Sequence, residues 1–388
     1  MNKIITIKLK KDLKKVILQG NPWLYDQALA PANQNQEVSL CRIVSKKNEF
    51  VAWGFYSPNS QLAVRILSTK SQAPDISYYE NLLFEAAKLR KPLNTEQNNC
   101  YRLVNGEGDL LPGFICDVYN KVAVIQFDGI GPYEFWDQDW LAKWILANTR
   151  CTSVFYKPRH DAKTKIKFWG ENLASTKVEV KENNCSFFVD IEKGQKTGFF
   201  LDQRENREYI KNISADKSIL NLFSYTGGFS ISAGIGGASS VTSVDVAQGA
   251  LDLATKNWQL NSLDPEKHKT IKMNIFEQLR EFNEQFDVVI CDPPSLAKSE
   301  KTKSQAILKY IDCFSVAAKK VKKQGHLVLS SCSSHISFED FNIIITEALS
   351  KSRKTGRILR VSGQGFDHPY PHACPQLRYL KFVDLIIS

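Results

Sequence analysis

The stretch VLSSCSSH, residues 328–335, places one thiol, four hydroxyls and an imidazole directly after an apolar run. Such a run reads as a buried strand, which puts Cys332 at its carboxyl end. There it is either a nucleophile or a small residue closing the strand. Upstream, FDVVICD runs into CDPPSL (291–296). Asp292 falls where that strand stops, and Pro293 and Pro294 give it a rigid exit without backbone donors. A carboxylate held stiffly there can hydrogen-bond the edge of a base. The plainer alternative is an Asp opening a proline turn. Earlier still, NLFSYTGGFS (221–230) carries Gly227 and Gly228, which let the backbone turn sharply into a helix and approach a ligand closely. The next strand ends in Asp245, and an acid about 20 residues on is spaced to reach a ribose diol. The turn lacks GxGxxG, which favours a nucleoside without phosphates, and so S-adenosylmethionine over NAD. Taken alone, two glycines and an acid also occur in many βα turns for geometry.

Thiol and acid on neighbouring strand ends suit one chemistry. Cytosine C5 is a poor nucleophile. A thiolate adding at C6 makes C5 enamine-like and able to attack a sulfonium methyl; a base then removes the C5 proton and the thiolate leaves. Asp292, if protonated, donates to the ring N3 as the adduct forms, a role that needs burial to raise its pKa. Cys291 is the rival nucleophile, but it precedes Asp292 in a strand, so its side chain faces the other way. A buried structural role is expected for it, and for Cys313 on a helix. His335 is either a general base or an exposed loop histidine.

These residues need a sheet to hold them. From residue 218, short apolar runs (SILNLFS, VTSVD, KTIKM, FDVVICD, HLVLSSC, RILRVSG, LRYLKFVDLII) alternate with helical stretches such as AQGALDLATKNWQLN and QAILKYIDCFSVAAKKVKK. That alternation predicts a doubly wound, mostly parallel sheet whose ligands bind at the carboxyl ends of the strands. Residues 1–68 read as short strands, with GNPWLYDQAL (20–29) as a turn entering a short helix. After a linker at 69–77, YYENLLFEAAKLRKPL reads as a helix stopping at Pro92. Residues 101–190 read as strand-rich. The basic segment KPRHDAKTKIKFWG (157–170), with Lys157 and Arg159, is either a solvated loop or a surface whose aromatics stack on bases.

The chain has 388 residues, 43% hydrophobic and 24% charged, enough for two or three globular domains. Its formal net charge of +10 points to a polyanion, nucleic acid ahead of membrane. A Lys-rich proteome would give the same balance. No apolar run is long enough to span a bilayer, and the start MNKIITIKLKKDLKK lacks the apolar core of a signal peptide. Nine scattered cysteines without a CxxC pair argue against a disulfide framework or a zinc site and fit the cytoplasm; no metal is expected.

Together these motifs resemble the bacterial 23S ribosomal RNA 5-methylcytosine methyltransferases with an N-terminal PUA domain. The resemblance extends through GNPWLYDQAL, AWGFYSPNSQLAVRI, RLVNGEGDLLPGFICDVY, VDIEKGQKTGFFLDQRENR (189–207), LNLFSYTGGFS, VDVAQGALDLATKNWQLN, FDVVICDPP, SSCSS, DHP (367–369) and YLK (379–381). It implies an α/β chain: a PUA-like RNA-binding domain over 1–70, a central α+β RNA-binding domain over 71–190, and a class I Rossmann-like methyltransferase domain with a mostly parallel seven-stranded sheet over 191–388. It also implies Cys332 as nucleophile beside Asp292, and S-adenosylmethionine as cofactor. Lys196, Thr197, Phe200, Asp202, Tyr225, Gly227, Gly228, Asp245, Asn274 and Asp292 are then expected to line the cofactor. From the residues alone, Phe199 and Phe200 read equally as core. Arg204, Pro293, Pro294, Lys157, Arg159 and Lys298 are expected at the RNA. The family allows a homodimer.

Two departures stand out. Asn274 replaces an acidic residue frequent in the family, so it can still accept from an adenine amine but with less charge. After the prolines, Ser295 and Leu296 replace the family's frequent Lys and aromatic, and the missing aromatic weighs against an amino-group methylase. The expected reaction is C5 methylation of a cytosine in large-subunit ribosomal RNA. The alternatives are methylation of another base position, such as a guanine nitrogen, with Cys332 structural, and a non-catalytic RNA-binding assembly factor. Expected phosphate contacts are Lys8–Lys15, the 157–167 run, Lys298, Lys301 and Lys303.

Overall fold

Runs of β-branched and aromatic residues build most of the first of two units, which comprises Met1–Val178, Val189–Phe199 and Phe366–Leu377. The computed structural model describes residues 4–30, 37–159, 166–297 and 299–388. Strands β1 (Ile5–Lys8), β2 (Trp23–Tyr25), β3 (Ser39–Val44), β4 (Phe50–Tyr56) and β5 (Leu62–Ser68) form one sheet in the order β1-β3-β4-β5-β2, with α1 (Lys14–Leu18) between the first two. Ile7, Ile43, Val51 and Val64 fill its core. Next comes α2 (Ile76–Arg90), N-capped by the Asp75 carboxylate, which accepts from the Tyr78 amide. A second sheet, in the order β10-β9-β8-β7-β6, contains β6 (Cys100–Asn105), β7 (Phe114–Tyr119), β8 (Val122–Phe127), β9 (Ser153–Tyr156) and β10 (Lys167–Gly170). Helices α3 (Ile130–Phe135) and α4 (Gln138–Asn148) cross from β8 to β9. Both sheets share one unit because Phe55 of β4 stacks on Phe135 of α3, centroids 4.3 Å apart, and Arg65 of β5 pairs with Glu107.

The second unit comprises Glu179–Phe188, Phe200–Gly365 and Arg378–Ser388. A hairpin of β11 (Lys177–Glu182) and β12 (Cys185–Asp190) leads into α5 (Arg204–Ile213). The βα alternation follows: β13 (Ser218–Leu222), α6 (Gly228–Ile235), β14 (Ser240–Asp245), α7 (Gln248–Leu260), β15 (His268–Lys272), α8 (Ile275–Gln278), β16 (Phe286–Cys291), α9 (Lys303–Lys319), β17 (Val321–Ser331), α10 (Phe338–Ser352), β18 (Gly356–Ser362) and β19 (Lys381–Ile387). The sheet order is β15-β14-β13-β16-β17-β19-β18. The first five strands are parallel; β19 runs antiparallel to β17 and β18. Buried residues of α9 and α10, such as Phe314 and Phe341, cover one face, and Ile210, Phe229 and Trp258 cover the other. The expected seven-stranded, mostly parallel sheet is therefore present. Among the described residues no helix is long and apolar enough to cross a membrane.

Three local expectations need correction. GNPWLYDQAL forms strand β2 and a three-residue 3₁₀ turn, Asp26–Ala28, rather than a turn into a helix, because Trp23 and Leu24 pair with β5. The strand-rich 101–190 stretch also holds α3 and α4, the latter capped by Asp137. The helix expected to run through VKK stops at Lys319, and β17 begins at Val321, which pairs with Phe286 before an irregularity ahead of His326.

Candidate functional site

The carboxyl ends of four parallel strands lie level. Leu222 is registered with Val244 and with Cys291, and Cys291 with Leu329. The loops after β13, β14, β16 and β17 therefore leave the same sheet edge, where this fold class binds ligands.

The loop after β13 bends tightly. Phe223, Tyr225 and Gly227 all have positive φ, with Gly227 at +82° as the N-cap of α6. A Cβ on Gly227 would lie 2.7 Å from Ile231 Cδ1 and 2.9 Å from Ala254 Cβ, so only glycine fits. Asp245, the last residue of β14, ties this turn down: its Oδ2 accepts from the Tyr225 amide at 2.9 Å and its Oδ1 from the Ala247 amide at 2.9 Å. The Ser224 hydroxyl is buried with no hydrogen-bond partner among the described residues, a polar atom left for a ligand or water. Tyr225 meets Phe200 edge-on, centroids 5.4 Å apart. Val246 and Phe276, exposed apolar side chains just past β14 and β15, offer flat cover for a base; Phe276 lies 5.2 Å from Phe223. Asn274 is the N-cap of α8, and its side chain makes no capping bond. This donor set suits S-adenosylmethionine.

Asp292 lies one residue past β16. Its Oδ2 accepts from Gln203 Nε2 at 3.0 Å, and the same amide donates to Ser330 Oγ at 3.1 Å. Gln203 is in turn fixed by Asn206 Nδ2, 2.7 Å from its Oε1, and Asn206 accepts from Ser362 Oγ at 2.7 Å. Asp202 accepts from the Tyr379 hydroxyl at 2.7 Å. Pro293 is buried and Pro294 exposed.

The hydroxyls around Cys332 divide by parity. Ser330 faces Gln203, whereas Ser331 and Ser333 bond the Tyr310 hydroxyl of α9 at 3.1 and 2.8 Å. Period-two alternation puts Cys332 on the Ser330 side, the side of Asp292. Ser333 Oγ also accepts from the Leu296 and Ala297 amides at 3.2 and 3.3 Å and lies 3.0 Å from Ser295 Oγ. Ser333 thus staples the loop after the prolines to the loop after Cys332. Of nine cysteines only Cys332 is not buried. Cys291 faces α9, its Sγ 3.7 Å from that of Cys313, and burial pushes its pKa well up. Its thiol is held in the less reactive form. His335 lies 3.6 Å from Glu300 on the surface.

Several other expected site residues are engaged in hydrogen bonds or ion pairs. Lys196 and Thr197 belong to the first unit, where Thr197 donates to Asp117 Oδ2 at 2.6 Å and Lys196 is exposed with φ +52°. In the same unit Lys157 donates to the Gly194 carbonyl, and Arg159 pairs with Asp128 at 2.9 Å. Burial lowers the Lys157 pKa. The DHP segment is also there, with Asp367 accepting from the Arg102 amide at 2.9 Å. Arg204 is buried with Glu205 at 3.2 Å. Lys303 pairs with Asp340 at 2.8 Å. Lys298 and part of the 157–167 run lie outside the described residues. Sequence reasoning missed Gln203, Asn206, Ser333, Tyr310 and Lys381. Their motifs, LDQR, SSCSS and YLK, were visible, but the partners that give them roles are distant in sequence.

Comparison with known proteins places the chain in a family. A family model described as an S-adenosylmethionine-dependent methyltransferase matches residues 140–319, and a PUA-like domain model matches 7–69. The chain is 32% identical over 386 residues to "Ribosomal RNA large subunit methyltransferase I" of Alteromonas mediterranea, covering 96% of each chain. It is 33% identical over 392 residues to the protein of that name from Tolumonas auensis, covering 97% of this chain and 98% of that one. Among solved structures, a Streptococcus mutans chain described as a SAM-dependent methyltransferase superposes with a TM-score of 0.85 at 23% identity, covering 98% of this chain and all of its own. A methyltransferase complexed with SAH gives 0.86 at 23% identity, covering 99% of both. These two likenesses bear on the fold.

Proposed function

The chain belongs to the family of the ribosomal RNA large subunit methyltransferases I, which use S-adenosylmethionine, and on that footing we propose that it methylates C5 of a cytosine in large-subunit ribosomal RNA through a Cys332–C6 adduct. The observation that carries this reading is the standing of Cys332. It is the one cysteine not buried, and it follows the strand beside the one that runs out into Asp292. The turn around Tyr225, Gly227 and Gly228, with Asp245, Asn274, Phe200 and Asp202, would hold the cofactor, which would supply an electrophilic methyl group.

The Cys332 thiolate bonds to C6, breaking the C5–C6 double bond and moving its electrons to C5. With the donor bound, the C5 electron pair would bond to the methyl carbon while the sulfur–methyl bond breaks and its electrons stay on sulfur, leaving a neutral thioether. A base removes the C5 proton, the carbon–sulfur bond breaks, and the double bond and thiolate are restored. Asp292, oriented by Gln203, hydrogen-bonds the cytosine edge; when it carries a proton it donates to N3. The target base must leave its stack, at a cost of a few kcal/mol. In this reading segments 1–70 and 71–190 bind RNA, segment 191–388 carries out transfer, and the enzyme works in the cytoplasm, where its thiols stay reduced.

The test is product identity. Large-subunit ribosomal RNA methylated with labelled donor is digested to nucleosides and analysed by mass spectrometry. The label is expected on cytosine C5. A label on a guanine nitrogen, retained in Cys332→Ala, would overturn the reading.

A further inference from the structure

Lys381 opens β19 and is completely buried. A buried ammonium is costly unless it is hydrogen-bonded and faces negative charge. Its Nζ donates to the Ser333 carbonyl at 2.6 Å and to the Tyr379 carbonyl at 2.7 Å. Neither acceptor carries a charge. The acidic groups whose ionised forms favour the Lys381 ammonium are Cys332 and Asp340. Asp340 already has a cation, Lys303, at 2.8 Å, and caps α10. That leaves the thiol as the group whose ionisation Lys381 most affects. Burial pushes the Lys381 pKa down to about 8, while the Cys332 and Asp340 charges pull it up.

We propose that Lys381 is a positioning residue for Cys332: it pins the Ser333 carbonyl, and so the turn after the thiol, and its charge stabilises the thiolate. This rests on the reading of Cys332 as nucleophile. The coupling is reciprocal, because a thiolate that favours the ammonium is favoured by it. Ionisation releases one proton from sulfur to solvent, and no other bond changes. Among the described residues, Tyr310, Asp292, Asp340 and His335 do not supply this charge. The Tyr310 hydroxyl interacts with Cys332, but burial raises its pKa and it stays neutral in the hydrogen-bond network. Asp292 and Asp340 are acids, which disfavour a thiolate, and His335 sits beside Glu300.

Alkylation of the folded full-length protein with iodoacetamide, from about pH 6 to about pH 10, reads the thiol directly. Peptide mass spectrometry follows Cys332, with the eight buried cysteines as internal references. The expected inflection lies below about 8.5, the ordinary thiol value. In Lys381→Met it rises by about one unit, slowing alkylation at neutral pH about tenfold. In Tyr310→Phe, which loosens the loop without removing a charge, it stays put. A wild-type inflection at or above 8.5 overturns the inference, and so does an unmoved inflection in folded Lys381→Met. If Lys381→Met does not fold, the wild-type inflection decides. The assay needs neither RNA nor methyl donor. A low, Lys381-dependent inflection would therefore support the charge effect even if Cys332→Ala still methylates, a result that would instead overturn the nucleophile reading.

Discussion

Gln203 is distant in sequence from Asp292 yet holds its carboxylate. One amide group spans Asp292 and Ser330, and its own oxygen is held by Asn206. Gln203→Leu keeps the bulk and removes both donors, so the Asp292 carboxylate loses the hydrogen bond that Gln203 gives it. A misplaced group of this kind costs about 10²-fold in rate. Turnover in Gln203→Leu is expected to fall by about that factor while calorimetric binding of S-adenosylmethionine changes little. Equal loss of both would mean that Gln203 serves the cofactor loop instead. The thiol, Asp292, Asp245 and the paired glycines were legible in the sequence because each sits beside a strand end that periodicity reveals. Gln203 and Lys381 were not, since their partners are 89 and 48 residues away in the chain.

At the scale of elements, the turn between β13 and α6 is the narrowest constraint. Gly227→Ala forces a left-handed alanine, which costs about 1–2 kcal/mol, and drives its Cβ against Ile231 and Ala254. A lower melting temperature and weaker cofactor binding are expected together; an unchanged melting curve would remove the steric argument. On the far edge of the sheet, His268 of β15 stacks on Trp258 of α7, centroids 4.5 Å apart, with Nε2 2.8 Å from Ser243 Oγ. Burial pushes its pKa down to about 4. The unfolded chain then takes up this proton first as pH falls, so stability is full above about 6.5 and is lost progressively down to about 4. The loss is on the order of 3 kcal/mol. Denaturant melts at pH 7 and 4.5 should show it, and His268→Phe should flatten that window. An equally steep wild-type and His268→Phe dependence would assign the effect to other groups. The doubly wound, mostly parallel sheet followed from βα alternation. The 3₁₀ turn after β2 and the early start of β17 did not, because pairing with β5 and β16 decides them.

For the whole molecule the net charge of +10 acquires a use. Lys8, Lys10, Lys11, Lys15 and Lys301 are exposed, whereas Lys14 pairs with Glu49 and Lys303 with Asp340. The exposed set is expected to carry the phosphate contacts. About four such contacts lose roughly 100-fold in affinity between about 50 and 200 mM salt. Filter binding of ribosomal RNA across that range checks this, and a flat response would deny the basic surface its role. Composition suggested a polyanion but could not say which lysines are spent on internal ion pairs, since pairing is tertiary.

The most direct measurement is a trapping assay. The protein is mixed with S-adenosylmethionine and ribosomal RNA carrying 5-fluorocytosine, then run on a denaturing gel. Fluorine cannot be removed as a proton is, so a C6 adduct persists. A covalent band is expected, lost in Cys332→Ala and kept in Cys291→Ala. No band, with methyl transfer to ordinary RNA surviving Cys332→Ala, would contradict C5 chemistry and leave Cys332 as a residue that closes a strand.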